Sequence, residues 1–233
     1  MAYKFEFDIN QCHYKNFCGI RQGTPEACDE TCPRYRAMHY LVNTSNIPKI
    51  LKYPPRLIPE VQDKQSFREL GAIKSNIKSF VESGANLYLH SENVGNGKTT
   101  SAVKLLLTYY DSIWASNGYR DRGLFIHCPT LFVANRENIG NPDIEHKELL
   151  DKLATVDLVI WDDIASVAMK EYDYLNMLSY IDKRISNGLA NIYTGNLAGN
   201  ELLKSVGTRL YSRIWEGSKR IEFLGGDRRG QNV

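Results

Sequence analysis

The chain has 233 residues, 42% hydrophobic and 24% charged, which is enough for one α/β domain and a small appendage. A formal net charge of +2 argues against a histone-like polycation, while a local basic patch stays compatible with nucleic-acid binding. No stretch approaches the roughly 20 apolar residues of a membrane helix, and the N-terminus lacks a signal peptide's apolar core, so a cytosolic protein is expected.

Residues 1–45 hold Cys12, Cys18, Cys28 and Cys32, separated by five, nine and three residues. In a reducing compartment such clustering points to a metal site more than to disulfides. A segment this short buries too little apolar surface to fold without a staple. Tetrahedral Zn²⁺ on the four thiolates is the expected one, with binding coupled to folding. His13 or His39 could replace one cysteine, and an iron–sulfur site or plain reduced thiols are the competing readings. Tyr35, Met38, Tyr40 and Leu41 either form a docking face or pack on the metal site. Residues 46–62 follow, with Pro48, Pro54, Pro55 and Pro59; proline fixes φ, so this reads as a semi-rigid linker.

From residue 63 to 233 strands and helices alternate. Leu87–His90, Leu124–His127, Leu158–Trp161, Asn191–Tyr193 and Ile221–Phe223 read as strands. The first three are nearly continuous apolar runs, as expected where helices cover both faces. Ala102, Leu105, Leu106, Tyr109 and Ile113 recur at helical spacing, giving one buried face. The alternation predicts an α/β fold with a mainly parallel, five-stranded sheet. Cys128, beside the second strand, reads as a small core residue.

Between the first strand and the first of these helices lies Val94-Gly95-Asn96-Gly97-Lys98-Thr99-Thr100, close to the phosphate-binding pattern G-x-x-x-x-G-K-[ST]. Glycines let backbone N–H groups curl around phosphates, and the helix points its positive end at them. Lys98 is placed to reach the β- and γ-phosphates of ATP, and the Thr99 hydroxyl to ligate Mg²⁺. Glu92 stands where the first glycine is usual, so the loop entry is expected to be built differently.

Asp162 and Asp163 close the strand Leu158–Trp161. Asp162 would hold Mg²⁺, and Asp163 would orient or deprotonate the attacking water; a turn capping the next helix is the bland alternative. Asn196 follows the next strand and is expected to position that water or touch the γ-phosphate. Arg209 and Arg213, at i and i+4, are expected on one helix face. Arg213, helped by Arg209, could reach the ATP of a neighbouring subunit and neutralise charge on the transferred phosphoryl group. Phe132, Arg136, Lys219 and Arg220 are candidate contacts for single-stranded DNA.

The ordered set Val94–Thr99, Leu158–Asp163, Thr194–Asn196 and Gly207–Ile214 resembles the DnaC/IstB-like AAA+ proteins, and most of all their bacterial and phage replicative helicase loaders. The resemblance covers roughly residues 65–233. It implies ATP-dependent, head-to-tail assembly into a spiral or ring, binding of single-stranded DNA, and delivery of a replicative helicase hexamer, with slow, partner-stimulated ATP hydrolysis. Ten residues follow Phe223, too few for a C-terminal helical lid, which members of this family commonly lack. Arg228 and Arg229 would then be a remnant of the lid's arginine or part of a basic tail. Some loaders carry an N-terminal zinc module that touches the helicase, which makes residues 1–45 the candidate helicase-binding element. An IstB-like transposition helper on duplex DNA, a small-molecule kinase and a non-enzymatic zinc adaptor are the alternatives.

Overall fold

The computed structural model describes residues 3–15, 18 and 28–228. Five parallel strands form one sheet: β1 (Asn86–His90), β2 (Gly123–His127), β3 (Leu158–Asp162), β4 (Ala190–Gly195) and β5 (Lys219–Glu222). Their spatial order is β2-β3-β4-β1-β5, so the strand that feeds the glycine loop is flanked on both sides. All five strands read from the sequence are present, and every pairing is parallel.

Successive side chains of a strand point to opposite faces, and this divides the core in two. Leu87, Leu89, Phe125, Ile160 and Ile192 point to one face, where they meet α1 (Pro33–Thr44), α2 (Lys64–Ser75), α3 (Ile77–Glu82) and α4 (Lys98–Ile113). Tyr88, Ile126, Val159, Trp161 and Tyr193 point to the other. There they meet α5 (Cys128–Glu137), α6 (Ile144–Thr155), α7 (Glu171–Ser186) and α8 (Gly199–Tyr211). Helices on both faces explain why the central strands are apolar throughout. The helical spacing predicted for α4 holds, since Ala102, Leu105, Leu106, Tyr109 and Ile113 are all buried. Cys128 is also buried in this core, and burial pushes its thiol pKa up.

Part of the cysteine-bearing segment shares the main core. Met38, Leu41 and Val42 of α1 are buried in the same cluster as Leu105 and Tyr109 of α4, and Tyr35 is buried as well. The docking-face alternative for Tyr35, Met38 and Leu41 is therefore replaced by inward packing. Ser45, just after α1, accepts a hydrogen bond from Phe125 N–H at 2.8 Å through its carbonyl, covering part of the free edge of β2. Tyr14 Oη donates to Asp111 Oδ1 at 2.6 Å, and Arg34 Nη2 lies 2.8 Å from the same oxygen.

The other face is pinned by a buried cation. Arg184 of α7 donates to the carbonyls of Leu153, Val156 and Ala190 and to Asn191 Oδ1, at 2.7 to 2.9 Å. Burial lowers its pKa to about 10, and the carbonyl cage holds the charge without a hydrogen-bonded carboxylate. Among the described residues no helix is long and apolar enough to cross a membrane.

Candidate functional site

The carboxyl ends of β1, β3 and β4 lie side by side, which is where open parallel sheets bind ligands. After β1 the chain turns through Ser91–Gly97 into α4. Gly97, the residue before α4, has φ 99°, and Gly95 has φ 72°, conformations that favour glycine. Space demands it too: a Cβ on Gly95 would meet the Asp227 carboxylate at 1.9 Å, and one on Gly97 would sit 2.9 Å from Leu57. Glu92 keeps a negative φ and is exposed, so this loop entry requires no glycine.

Side-chain bonds within the loop fix its shape. Asn96 is fully buried; its amide donates to Ser91 Oγ and, at 3.4 Å, to the Phe223 carbonyl. Lys98 Nζ lies over the loop, donating to Asn93 O at 2.9 Å and Asn96 Oδ1 at 3.2 Å. The result is a cavity of about 190 Å³ lined by residues Val94 to Thr100 and by Asn196. The long helix α4 directs its N-terminus into it. Asn196, predicted from another strand, is thus brought against the loop.

Asp162 ends β3 and is buried. The hydroxyls of Thr99 and Thr194 both donate to its Oδ1, each at 2.7 Å. Burial raises the Asp162 pKa, and the two threonine bonds oppose that rise. Thr99 and Asp162 form a hydroxyl–carboxylate pair of hard oxygen donors, the set that suits Mg²⁺. Asp163 follows with φ 61°, a left-handed conformation uncommon outside glycine. Its N–H donates to Thr194 Oγ1 at 3.0 Å, and Ile164 N–H donates to Thr194 O at 2.8 Å. These bonds turn the Asp163 carboxylate outward, 4.0 Å from His127 Nε2 at the end of β2.

Two members of this cluster escaped the sequence reading. Thr194 was recognised only as part of a turn, yet it bonds both aspartates' backbone or side chain. His127 has no motif of its own, but it ends the strand next to β3 in register with Asp162. Thr194→Val keeps the shape and removes the hydroxyl. For a site that hydrolyses a bound nucleotide, turnover is expected to fall roughly tenfold, the cost of one charge-assisted hydrogen bond, with little change in nucleotide affinity. Steady-state kinetics beside a binding titration would show it, and unchanged turnover would remove Thr194 from the site.

No protein-family model and no curated protein matches this sequence. Solved structures do match. The DnaC helicase loader is 17% identical, covering 81% of this chain and 98% of its own, with a TM-score of 0.59. DnaI is 19% identical, covering 79% of this chain and 95% of its own, with a TM-score of 0.60. AMPPCP-bound DnaA from Aquifex aeolicus is 18% identical with a TM-score of 0.57; it covers 79% of this chain, which spans 54% of that one. This chain shares the fold of these DnaC, DnaI and DnaA structures.

The remaining predicted residues fall elsewhere. Arg209 and Arg213 do not line the cavity at Val94–Thr100 of their own chain. Gly207, at φ 72° and ψ 162°, breaks α8 before them, and Arg213 sits in the π-helical turn Ser212–Glu216. Between the two arginines the helix thus changes from α to π. Arg213 Nη1 donates to Arg209 O at 3.1 Å, and its Nε and Nη2 bind the Asp182 carboxylate at 2.5 and 3.3 Å. Phe132 is buried core and cannot stack on a base. Arg136 pairs with Asp173 at 3.3 Å, Lys219 with Glu69 at 3.3 Å, and Arg220 lies over the Trp215 ring. The Arg228 guanidinium forms an ion pair with buried Asp63 and does not line the cavity at Val94–Thr100. Arg229 lies outside the described residues.

Cys12, Cys18, Cys28 and Cys32 are all free thiols and line one cavity of about 230 Å³. Burial raises the Cys12 pKa, and the other three cysteines add to the rise. Among the described residues no group of three or more His, Cys, Asp or Glu is placed to hold a metal ion, so the expected zinc site is not shown there. The alternative histidine ligands are engaged elsewhere. His13 stacks on Tyr53 and His39 Nδ1 lies 2.8 Å from Tyr3 Oη.

Proposed function

We propose that this protein is an ATP-dependent replicative helicase loader. The observation that carries the reading is the cluster Lys98, Thr99, Asp162, Thr194 and Asn196 at adjacent strand ends. It stands in a fold shared along nearly the whole length of DnaC and DnaI. The AMPPCP in the related DnaA structure supports a nucleoside triphosphate as the ligand of this loop.

The division of labour follows from the geometry. Backbone N–H groups of residues 94–99 and the α4 N-terminus would hold the phosphates, with Lys98 on the β–γ bridge. Thr99 and Asp162 would hold Mg²⁺, which supplies charge neutralisation on the phosphates. Asn196 would position the attacking water, and Asp163 would orient it or take its proton. Aspartate is one methylene shorter than glutamate, which suits slow turnover that a partner completes.

Assembly completes the site in this reading. Subunits stack head to tail, and Arg213 leaves Asp182 to reach the neighbour's γ-phosphate, with Arg209 beside it. The spiral then binds single-stranded DNA and delivers the helicase. Arg213→Ala should leave nucleotide affinity of the single chain within about twofold and lower assembled turnover at least tenfold, well within the worth of an arginine finger. Turnover measured against protein concentration separates the two effects.

Native mass spectrometry of the full chain with replicative helicase hexamers, ATP and magnesium tests the reading directly. A defined complex that disappears without ATP is expected. No complex with any hexamer, together with a preference for duplex over single-stranded oligonucleotides, would replace the loader by the transposition helper.

A further inference from the structure

The phosphate loop has a carboxylate of the same chain packed against it. After β5 the backbone turns back across the loop and is tied to it by hydrogen bonds. Asn93 Nδ2 donates to Leu224 O at 3.3 Å and to Gly225 O at 3.2 Å, Asn96 Nδ2 to Phe223 O at 3.4 Å, and Arg228 N–H to Gly95 O at 3.0 Å. These bonds bring Asp227 onto Gly95, where both carboxylate oxygens and Cγ fill the space that a Cβ on the glycine would need. Gly95 itself lines the cavity at Val94–Thr100. We propose that Asp227 is an electrostatic brake on this loop: its carboxylate opposes the phosphates of an incoming nucleotide and holds affinity down, most of all for nucleotide that carries no magnesium. The inference rests on the nucleotide reading of the loop.

The loop is otherwise arranged to attract anions. The positive end of the long helix α4 points into the cavity, and the Lys98 ammonium lies over the loop. A carboxylate in contact with Gly95 sits within that field, next to any phosphate held by the backbone N–H groups of residues 94–99. Like charges roughly 6 Å apart at a partly hydrated surface lower affinity by a factor of about three to ten.

The carboxylate is not what holds the segment in place. The Arg228 guanidinium is anchored on buried Asp63, and the Asn93 and Asn96 amides hold the carbonyls before it. Asp227 is exposed, so its side chain can turn aside by a rotamer change while the clasp stays closed. Repulsion scales with the net charge of the ligand, and magnesium lowers the net charge of a triphosphate. The brake therefore favours the magnesium complex over the free nucleotide, which is the form that Thr99 and Asp162 are placed to receive.

Equilibrium binding of ATP to the full chain, with magnesium and with an excess of chelator, tests the proposal. Asp227→Asn keeps the size of the side chain and removes its charge. Its affinity for ATP should rise roughly three- to tenfold without magnesium. The gain should be smaller with magnesium and should shrink as salt is added. Asp227→Glu keeps the charge and should bind within about twofold of the unaltered chain, as exposed substitutions usually do. The thermal midpoint of Asp227→Asn without nucleotide should move little, because the clasp is retained. Measurable ATP binding that is equal in the unaltered chain and Asp227→Asn overturns the brake and leaves the nucleotide site standing. So does weaker binding by Asp227→Asn, which would make the carboxylate a contact of the nucleotide. No ATP binding by the unaltered chain or by either variant removes the nucleotide reading itself, and the brake with it.

Discussion

Lys98→Ala is expected to lower ATP turnover by on the order of a hundred- to thousandfold, the loss seen when one positioned transition-state donor is removed. Lys98 carries the only charged side chain among the residues that line the nucleotide cavity. Its ammonium is already aimed: Asn93 O and Asn96 Oδ1 hold it over the loop, and Asn96 is itself fixed by Ser91. Charge that develops between the β- and γ-phosphates would therefore meet a cation that needs no reorganisation. The same substitution should not unfold the protein. Alanine is the best helix former, and the position opens α4. Turnover, nucleotide binding and thermal midpoint should be measured on one preparation. A lost turnover with an unchanged or raised midpoint is the expected pair, and unchanged turnover would move the site elsewhere.

Asp162 makes the complementary point about pH. Its folded pKa lies above the ordinary carboxylate value because it is buried. A raised carboxylate pKa contributes stability at low pH, and that contribution is lost as pH rises through the folded value. Mg²⁺ requires the charged form, so magnesium affinity should weaken as pH falls through the raised pKa, sooner than an exposed aspartate would allow. Asp162→Asn should abolish the magnesium-dependent rise in the thermal midpoint of the nucleotide complex. Without nucleotide, the midpoint at neutral pH should be unchanged or higher, because a buried charge has been removed.

The part of this site that could be read from the sequence is the part written in consecutive residues. Strand, Gly-x-Gly-Lys-Thr and helix follow one another, so Val94–Thr100 could be placed before any fold was known. Asp162 and Asn196 were legible because each sits just beyond an apolar strand, and parallel strands carry such residues to one end of the sheet. Thr194 was harder, since its role depends on a bond to a carboxylate on the neighbouring strand. The cysteines were legible as a cluster, and all four line one cavity. Arg209 and Arg213 were read as one regular helix, but the α-helix passes into a π-helical turn at Ser212, between them. Tyr35, Met38 and Leu41 were read as a docking face or as packing on a metal site, whereas Met38 and Leu41 join the main core, because a short amphipathic helix does not announce what covers it.

Nothing in the sequence points to Asp63, and its removal should have the largest effect on stability. Asp63 is fully buried, directly before α2, and accepts from Leu224 N–H at 2.8 Å, from Gly225 N–H at 3.1 Å and from the Arg228 guanidinium. Arg228 also donates to Ile58 O, and its own N–H donates to Gly95 O at 3.0 Å. The segment after β5 is thereby clasped over the phosphate loop, where Asn93 and Asn96 donate to the carbonyls of residues 223 to 225. Asp63→Ala leaves a buried guanidinium and two N–H groups without their acceptor. Breaking one side of a buried ion pair costs about 3–5 kcal/mol, and chemical denaturation should show a loss of that size. Arg228→Ala should cost less, because the two N–H groups keep Asp63 as their acceptor. In a double-mutant cycle the second substitution should add little to Asp63→Ala, the sign of a shared interaction. Nucleotide affinity should fall with stability in Asp63→Ala, because the clasp that shapes Gly95 is gone. Stability lost without any change in affinity would mean that the clasp supports the fold but not the loop.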